Sequence, residues 1–271
     1  MTDFDAKGAQ MSTAISADGT RLAYDVVGEG PALVYVTGAT CFRKFRPVVD
    51  DVKAFSKEFT VYTYDRRGRG DSTDTAPYEV QREVDDIEAM IDAAGGNAFV
   101  YGHSSGAVLT LEAALRLPHK VDRAVIYDAS YVHDAAERDS YAELARKVES
   151  LLQRGENSGA VKEFLREIGM PRPFVALLPL FPGWSTMKAL APTLTYDIAL
   201  TADVPPLDRL GGIKVPLHIV AGAKSPAGLH DVARQLADTI PTSTLRILEG
   251  QNHMVSTKAL LPILRGFLRA Q

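Results

Sequence analysis

The stretch Ala98-Phe99-Val100-Tyr101-Gly102-His103-Ser104-Ser105-Gly106-Ala107-Val108-Leu109-Thr110-Leu111-Glu112-Ala113-Ala114-Leu115 decides how the rest of the chain is read. Phe99 to Tyr101 is a short apolar run suited to a buried strand, and the Ala/Leu-rich run from Ala107 suits a buried helix. Between them, Gly102-His103-Ser104-Ser105-Gly106 fits a strand-to-helix turn so tight that only small residues fit beside Ser104. A serine held there projects its hydroxyl away from the backbone. The amide of Ser105 then lies at a helix N-terminus, where unpaired N–H groups and the helix dipole favour an anion. A glycine-rich turn carrying an ordinary serine is the plain alternative, and the surroundings must decide.

Working outward, strands and helices alternate. Towards the N-terminus, residues 1–16 read as a tail or first edge strand, and Ser16-Ala17-Asp18-Gly19-Thr20 as a hairpin turn. Arg21 to Val27 alternates as a half-buried strand, and Ala32 to Val36 is a continuous apolar run, as for a central strand covered on both faces. A helix over 45–59, a strand at Val61–Tyr64, a charged loop from Asp65 to Ser72 and an amphipathic helix over 79–94 follow. Beyond the central stretch comes a strand at Val121–Tyr127 that ends at Asp128. The alternation then stops: residues 131–205 read as helices only, over 136–153, 158–168 and 188–200, with a Pro/Phe/Trp-rich run at 171–184. It resumes with strands at 215–222 and 244–248 and helices at 229–240 and 256–269. The pattern predicts an α/β fold, a mostly parallel twisted sheet of about eight strands flanked by helices. The core spans 1–130 and 206–271, with a helical insertion over 131–205. The insertion's apolar residues, Phe181 and Trp184 among them, fit either its own core or a lid over a pocket.

Composition narrows the class. With 271 residues, 46% hydrophobic and 24% charged, the chain has the make-up of a globular protein with a sizeable core. A net charge of −4 without a dense basic block predicts no nucleic-acid and no membrane partner, leaving a small-molecule substrate and a second copy of the chain as the candidate partners. The single cysteine, Cys41, excludes an internal disulfide and fits a cytoplasmic location, as does a polar N-terminus without a secretory apolar run. Cys41 reads as a small hydrophobe. No His/Cys/Glu cluster has metal-ligand spacing and no phosphate-binding glycine loop is present, so neither metal nor organic cofactor is expected.

A serine hydroxyl needs a base. Of six histidines, His103 lies inside the turn, His119 in a loop, His218 mid-strand as a core residue, His230 at a helix start and His133 at the start of the insertion. His253 follows the last strand, beside Gly250 and Asn252. In a parallel sheet, ligand chemistry gathers at the C-terminal strand ends, where Ser104 also lies. His253 is therefore the expected base.

Taken together, Thr37-Gly38-Ala39, the Asp65-x-Arg67-Gly68-x-Gly70-x-Ser72 loop, Gly102-His103-Ser104-Ser105-Gly106 and His253 resemble the α/β-hydrolase family, over Tyr24 to Leu268. The resemblance implies a nucleophile (Ser104), an oxyanion hole made of the Ala39 and Ser105 amides, and a helical cap. Thr37, Gly38, Phe181 and Trp184 would line the pocket. It departs from the family in one respect: where the acid is usual, after the strand 215–222, the chain has Ser225. Some relatives carry the acid one strand earlier, which implies Asp128, alternatively a cap of the next helix; Asp197 and Asp231 are reserves. Arg66, Arg67 and Arg69 would bind an anionic substrate or tie loops together. The implied activity is hydrolysis of a small or medium apolar ester or lactone through an acyl-enzyme. Carbon–carbon bond hydrolases, perhydrolases, cofactor-free oxygenases and a binding or ring-closing protein with a weakened triad are the alternatives.

Overall fold

A computed structural model describes residues 11–181 and 183–269. The tail or edge strand expected over 1–16 therefore falls partly outside the described residues. The elements before the insertion are β1 (Ser12–Ile15), β2 (Arg21–Val27), β3 (Ala32–Val36), α1 (Arg46–Phe55), β4 (Thr60–Tyr64), α2 (Val80–Ala93), β5 (Ala98–His103), α3 (Ser105–Arg116) and β6 (Val121–Tyr127). Then come α4 (Ala135–Gln153), α5 (Asn157–Glu167), α6 (Arg172–Leu177), α7 (Trp184–Ala189), α8 (Leu194–Thr201) and α9 (Leu207–Leu210). β7 (Leu217–Gly222), α10 (Ala227–Thr239), β8 (Ser243–Leu248) and α11 (Thr257–Leu268) complete the chain.

The eight strands form one sheet in the order β1-β2-β4-β3-β5-β6-β7-β8. β1 and β2 are antiparallel, the hairpin between them turning through Gly19 at φ 85°, and β4, β3 and β5 to β8 run parallel. Period-two alternation builds a core on each face. Val34, Val36, Ala124 and Ile126 face a cluster filled by Ile87, Met90 and Ile91 of α2, most of α3, and Val232 and Leu236 of α10. Leu33, Tyr35, Val125 and Tyr127 face the other, filled by Val48, Val52 and Phe55 of α1 and Leu260, Ile263 and Leu264 of α11. Each fully buried Val, Leu or Ile contributes about 1.5–3 kcal/mol of transfer free energy, so the central strands' apolar runs are what hold helices on both faces.

The order reverses at β3: β4 lies on one side and β5 on the other. Such a switch point opens a crevice at the C-terminal strand ends. The segment between β6 and β7 is helical throughout its regular elements and has its own apolar cluster, including Leu144, Val148, Phe164, Leu194 and Ile198. Two expectations differ from the observed structure here. The helix expected over 188–200 is split, because Pro192 lacks the N–H a continuing helix needs and sits in a 3-10 turn, Ala191–Thr193, between α7 and α8. His218 is not a core residue: it stands half-buried on β7, with Nδ1 2.6 Å from Thr244 Oγ1 and its ring stacked on Phe267. Among the described residues no helix is long and apolar enough to cross a membrane.

Candidate active site

The turn between β5 and α3 is as tight as its glycines suggest. A Cβ on Gly102 would stand 2.2 Å from Thr110 Oγ1 and 2.3 Å from Gly106 O, and one on Gly106 would stand 2.2 Å from Val36 O. Ser104 occupies φ 59°, ψ −125°, a conformation that an L-residue adopts only when its surroundings impose it. Its N–H donates to Tyr127 O at 3.0 Å, locking the turn to β6. Strain and lock together push the side chain out at the sheet's C-terminal edge.

Three side chains from three strand ends meet there. His253 Nε2 lies 3.1 Å from Ser104 Oγ, and His253 Nδ1 lies 3.1 Å from Asp128 Oδ2. Asp128, buried and itself at φ 48°, also accepts from Gly222 N–H at 3.2 Å and from Ser225 Oγ at 2.6 Å. Because the carboxylate can only accept, Nδ1 carries the hydrogen, and Nε2 is left as an acceptor facing the serine. Ser225, at the position usual for the acid, thus serves the carboxylate of the neighbouring strand end. The loop bearing His253 is pinned by His103 Nε2, which donates to His253 O at 2.8 Å, and by Tyr127 Oη, which donates to Asn252 O at 2.7 Å.

The loop after β3 lies against the nucleophile: a Cβ on Gly38 would stand 2.9 Å from Ser104 Cβ. Thr37 is buried beneath it, and Ala39 packs against the apolar cluster of the inserted helices. Phe181 and Trp184 make their ring contacts within the inserted segment: Phe181 is exposed and pairs with Phe174, and Trp184 lies under Lys162 Nζ at 5.7 Å. The arginines are engaged with carboxylates. Arg67 pairs with Asp86 and Asp18, Arg66 with Glu83 and Asp197, and Arg69 with Asp197. Asp231 pairs with Arg234 on α10, whereas the carboxylate that faces His253 Nδ1 is that of Asp128. Among the described residues no group of three or more His, Cys, Asp or Glu side chains is gathered as a metal site.

A model of the Alpha/beta hydrolase family matches residues 33–259. The chain belongs to the alpha/beta hydrolase family. An alpha/beta hydrolase from Sphaerobacter thermophilus, known from its crystal structure, is 38% identical, superposes with a TM-score of 0.84, and is matched over 95% of this chain and 100% of its own. The (E)-2-((N-methylformamido)methylene)succinate hydrolase of Acinetobacter baylyi is 24% identical over 86% of this chain and 87% of its own. The 2-(acetamidomethylene)succinate hydrolase of Mesorhizobium japonicum is 26% identical over 84% of each. This chain is accordingly a hydrolase on the alpha/beta fold.

Two features of this alpha/beta hydrolase add to the expected site. Ser130 Oγ stands 3.1 Å from Ser104 Oγ and has no motif to mark it. Asp197 enters not as an acid for His253 but as the partner of Arg66, Arg69 and Ser105. Its signal was present: it is the one charged residue in the otherwise apolar helix Leu194–Thr201, and a lone buried carboxylate demands a partner.

Proposed function

We propose that the protein is a serine hydrolase that cleaves a small or medium apolar carboxylic ester or lactone, with Ser104 as nucleophile, His253 as base and Asp128 as the acid that orients it. The observation that carries this reading is the unbroken hydrogen-bonded chain from Ser104 Oγ to His253 to Asp128, 3.1 Å at each step. Nε2 takes the hydroxyl proton as Oγ adds to the substrate carbonyl, and the buried Asp128 offsets the imidazolium charge that forms. The amides of Ala39 and Ser105 receive the oxyanion. His253 then protonates the departing alkoxide, and water, deprotonated by the same nitrogen, releases the acid and restores Ser104. With its one proton given to His253, Ser104 Oγ can only accept from Ser130 Oγ, 3.1 Å away, whose single proton also has Asp128 O within reach at 3.2 Å.

The engaged arginines support an uncharged acyl group, because Arg66, Arg67 and Arg69 have no free charge to offer a substrate carboxylate. The two relatives named for succinates favour a second substrate class, a carboxylate-bearing amide, which the same serine and oxyanion hole would cleave. One experiment tests both. Fluorophosphonate labelling is expected to add one phosphonyl group at Ser104, and Ser104→Ala to lose ester hydrolysis by at least about 10³-fold. Full activity in Ser104→Ala overturns the mechanism. Faster turnover of dicarboxylate amides than of short-chain p-nitrophenyl esters and lactones overturns the ester assignment alone.

A further inference from the structure

The two amides that form the oxyanion hole come from separate elements, the β3–α1 loop and the start of α3, and something must hold them in register. A trans peptide points its C=O and N–H in opposite directions, so whatever grips the carbonyl of Gly38 aims the N–H of Ala39. Arg69 Nη1 grips it, donating to Gly38 O at 2.7 Å. Arg66 Nη1 likewise donates to Thr37 O at 3.3 Å, one peptide earlier. On the α3 side, Ser105 Oγ is held by a carboxylate at 2.8 Å, which fixes the residue whose amide is the second donor.

All of these ties meet at one residue. Asp197 Oδ2 accepts from Arg69 Nη2 at 2.7 Å, and Asp197 Oδ1 accepts from Arg66 Nη1 at 2.8 Å and from Ser105 Oγ at 2.8 Å. Arg66, Arg69, Ser105 and Asp197 are each at most 2% exposed, so these bonds are not shared with solvent. The charges balance: two guanidiniums face Asp197 and Glu83, the latter bound by Arg66 at 2.5 and 2.7 Å. Asp197 sits on α8, 92 residues from Ser105 and 128 from Arg69 along the chain. That helix is docked rigidly: Tyr196 stacks on Tyr78 with centroids 4.0 Å apart, and Tyr141 Oη lies 2.6 Å from Thr201 Oγ1.

We infer that Asp197 is the positioning residue of the oxyanion hole: through Arg69 and through Ser105 it sets both amide donors, and so makes the rate depend on the docking of α8. The inference rests on the serine mechanism proposed above. It concerns aim, not substrate grip, so its loss falls on the transition state, where the oxyanion exists, and not on the bound ester.

The test measures kcat, KM and the affinity for a trifluoromethyl alkyl ketone. The Ser104 hydroxyl adds to that ketone, its proton passing to His253, to give a tetrahedral oxyanion. Asp197→Asn is expected to lower kcat about 10- to 100-fold, a fraction of what loss of a whole donor costs, with KM within about twofold. Its affinity for the ketone falls by the same factor as kcat/KM. Ser105→Ala keeps the amide, removes the hydroxyl that joins it to Asp197 at 2.8 Å and to Arg66 at 3.3 Å, and is expected to lose about three- to tenfold in both quantities; it decides the matter if Asp197→Asn does not fold. Ketone affinity within twofold of the unmodified protein in a folded Asp197→Asn, or in Ser105→Ala, overturns the inference while leaving the serine mechanism standing. Full activity in Ser104→Ala overturns both.

Discussion

Asp128 accepts hydrogen bonds from His253 Nδ1, Gly222 N–H and Ser225 Oγ, so the imidazole is one of three donors that keep this buried carboxylate in place. The side chains of positions 128 and 225 touch, so under the proposed mechanism the acid is expected to be transferable between them. Asp128→Asn places an amide opposite Nδ1, favours the wrong imidazole tautomer and is expected to lower kcat about 10³- to 10⁴-fold. Adding Ser225→Asp restores a carboxylate within reach of the same ring, from the end of β7. The double variant is expected to turn over at least about tenfold faster than Asp128→Asn alone, measured as kcat on one ester. A double variant no faster than the single one would show that the end of β7 cannot orient His253. Ser104 and His253 were legible because each sits in a local pattern, a glycine-flanked turn and a loop after a strand. The place of Asp128 beside them was legible only as a displacement, since Ser225 occupies the place usual for an acid and only the fold brings that place against Asp128.

At the scale of elements, two glycines show what a sequence can and cannot say about backbone. Gly106 opens α3, and an added Cβ would meet the carbonyl oxygens of Val36 and Thr37 at 2.2 and 2.8 Å. Backbone atoms at the end of a central strand have nowhere to go. Overpacking costs about 1–3 kcal/mol where side chains yield, so Gly106→Ala is expected at or above that range. In a chain of this size, thermal melting should fall by about 2 °C or more. Gly266 in α11 is exposed with nothing near its missing Cβ, and Gly266→Ala is expected to raise stability by about 0.5–1 kcal/mol through helix propensity. Equal shifts in the two melting curves would refute the steric reading of the turn. The strands β2 to β8 were legible to within a residue or two because an apolar β-branched run bounded by turn residues has few other uses, whereas β1, short and half-exposed, left no more than a tail or edge strand to be read. The insertion was less so: it packs on itself and on the rim of the sheet, and its breaks, such as Pro192, answer to neighbours that periodicity does not register. The network of Arg66, Arg69 and Asp197 was legible only in part, as arginines that tie loops together and a lone charge in its helix, since its partners are more than a hundred residues apart.

Across the whole molecule, the site doubles as a clasp that closes the sheet over the loop following β8, and that clasp makes stability depend on pH. His103, on the last residue of β5, donates from Nε2 to the carbonyl of His253. Burial, reinforced by the His253 ring beside it, pushes its pKa down to about 4, whereas an unfolded chain leaves histidine near 6.5. Folded His103 therefore stays neutral over a range in which the unfolded chain takes up a proton. Wherever the unfolded state binds more protons, stability rises with pH. The contribution is thus intact above about pH 6.5, declines as pH falls, and is lost in full below about pH 4. Other groups titrate in the same window, Asp86 among them, since burial raises its pKa to about 6, so the raw melting curve mixes several effects. A paired comparison isolates this one. His103→Gln keeps a donor facing His253 O and removes the titration. The difference in unfolding free energy between the two proteins, followed by denaturant melts from pH 7.5 to pH 4, should be flat near neutrality and shift steadily against the unmodified protein on acidification. A difference that holds constant across that range would mean His103 carries the same charge folded as unfolded, and that the clasp over His253 is not built on a neutral ring.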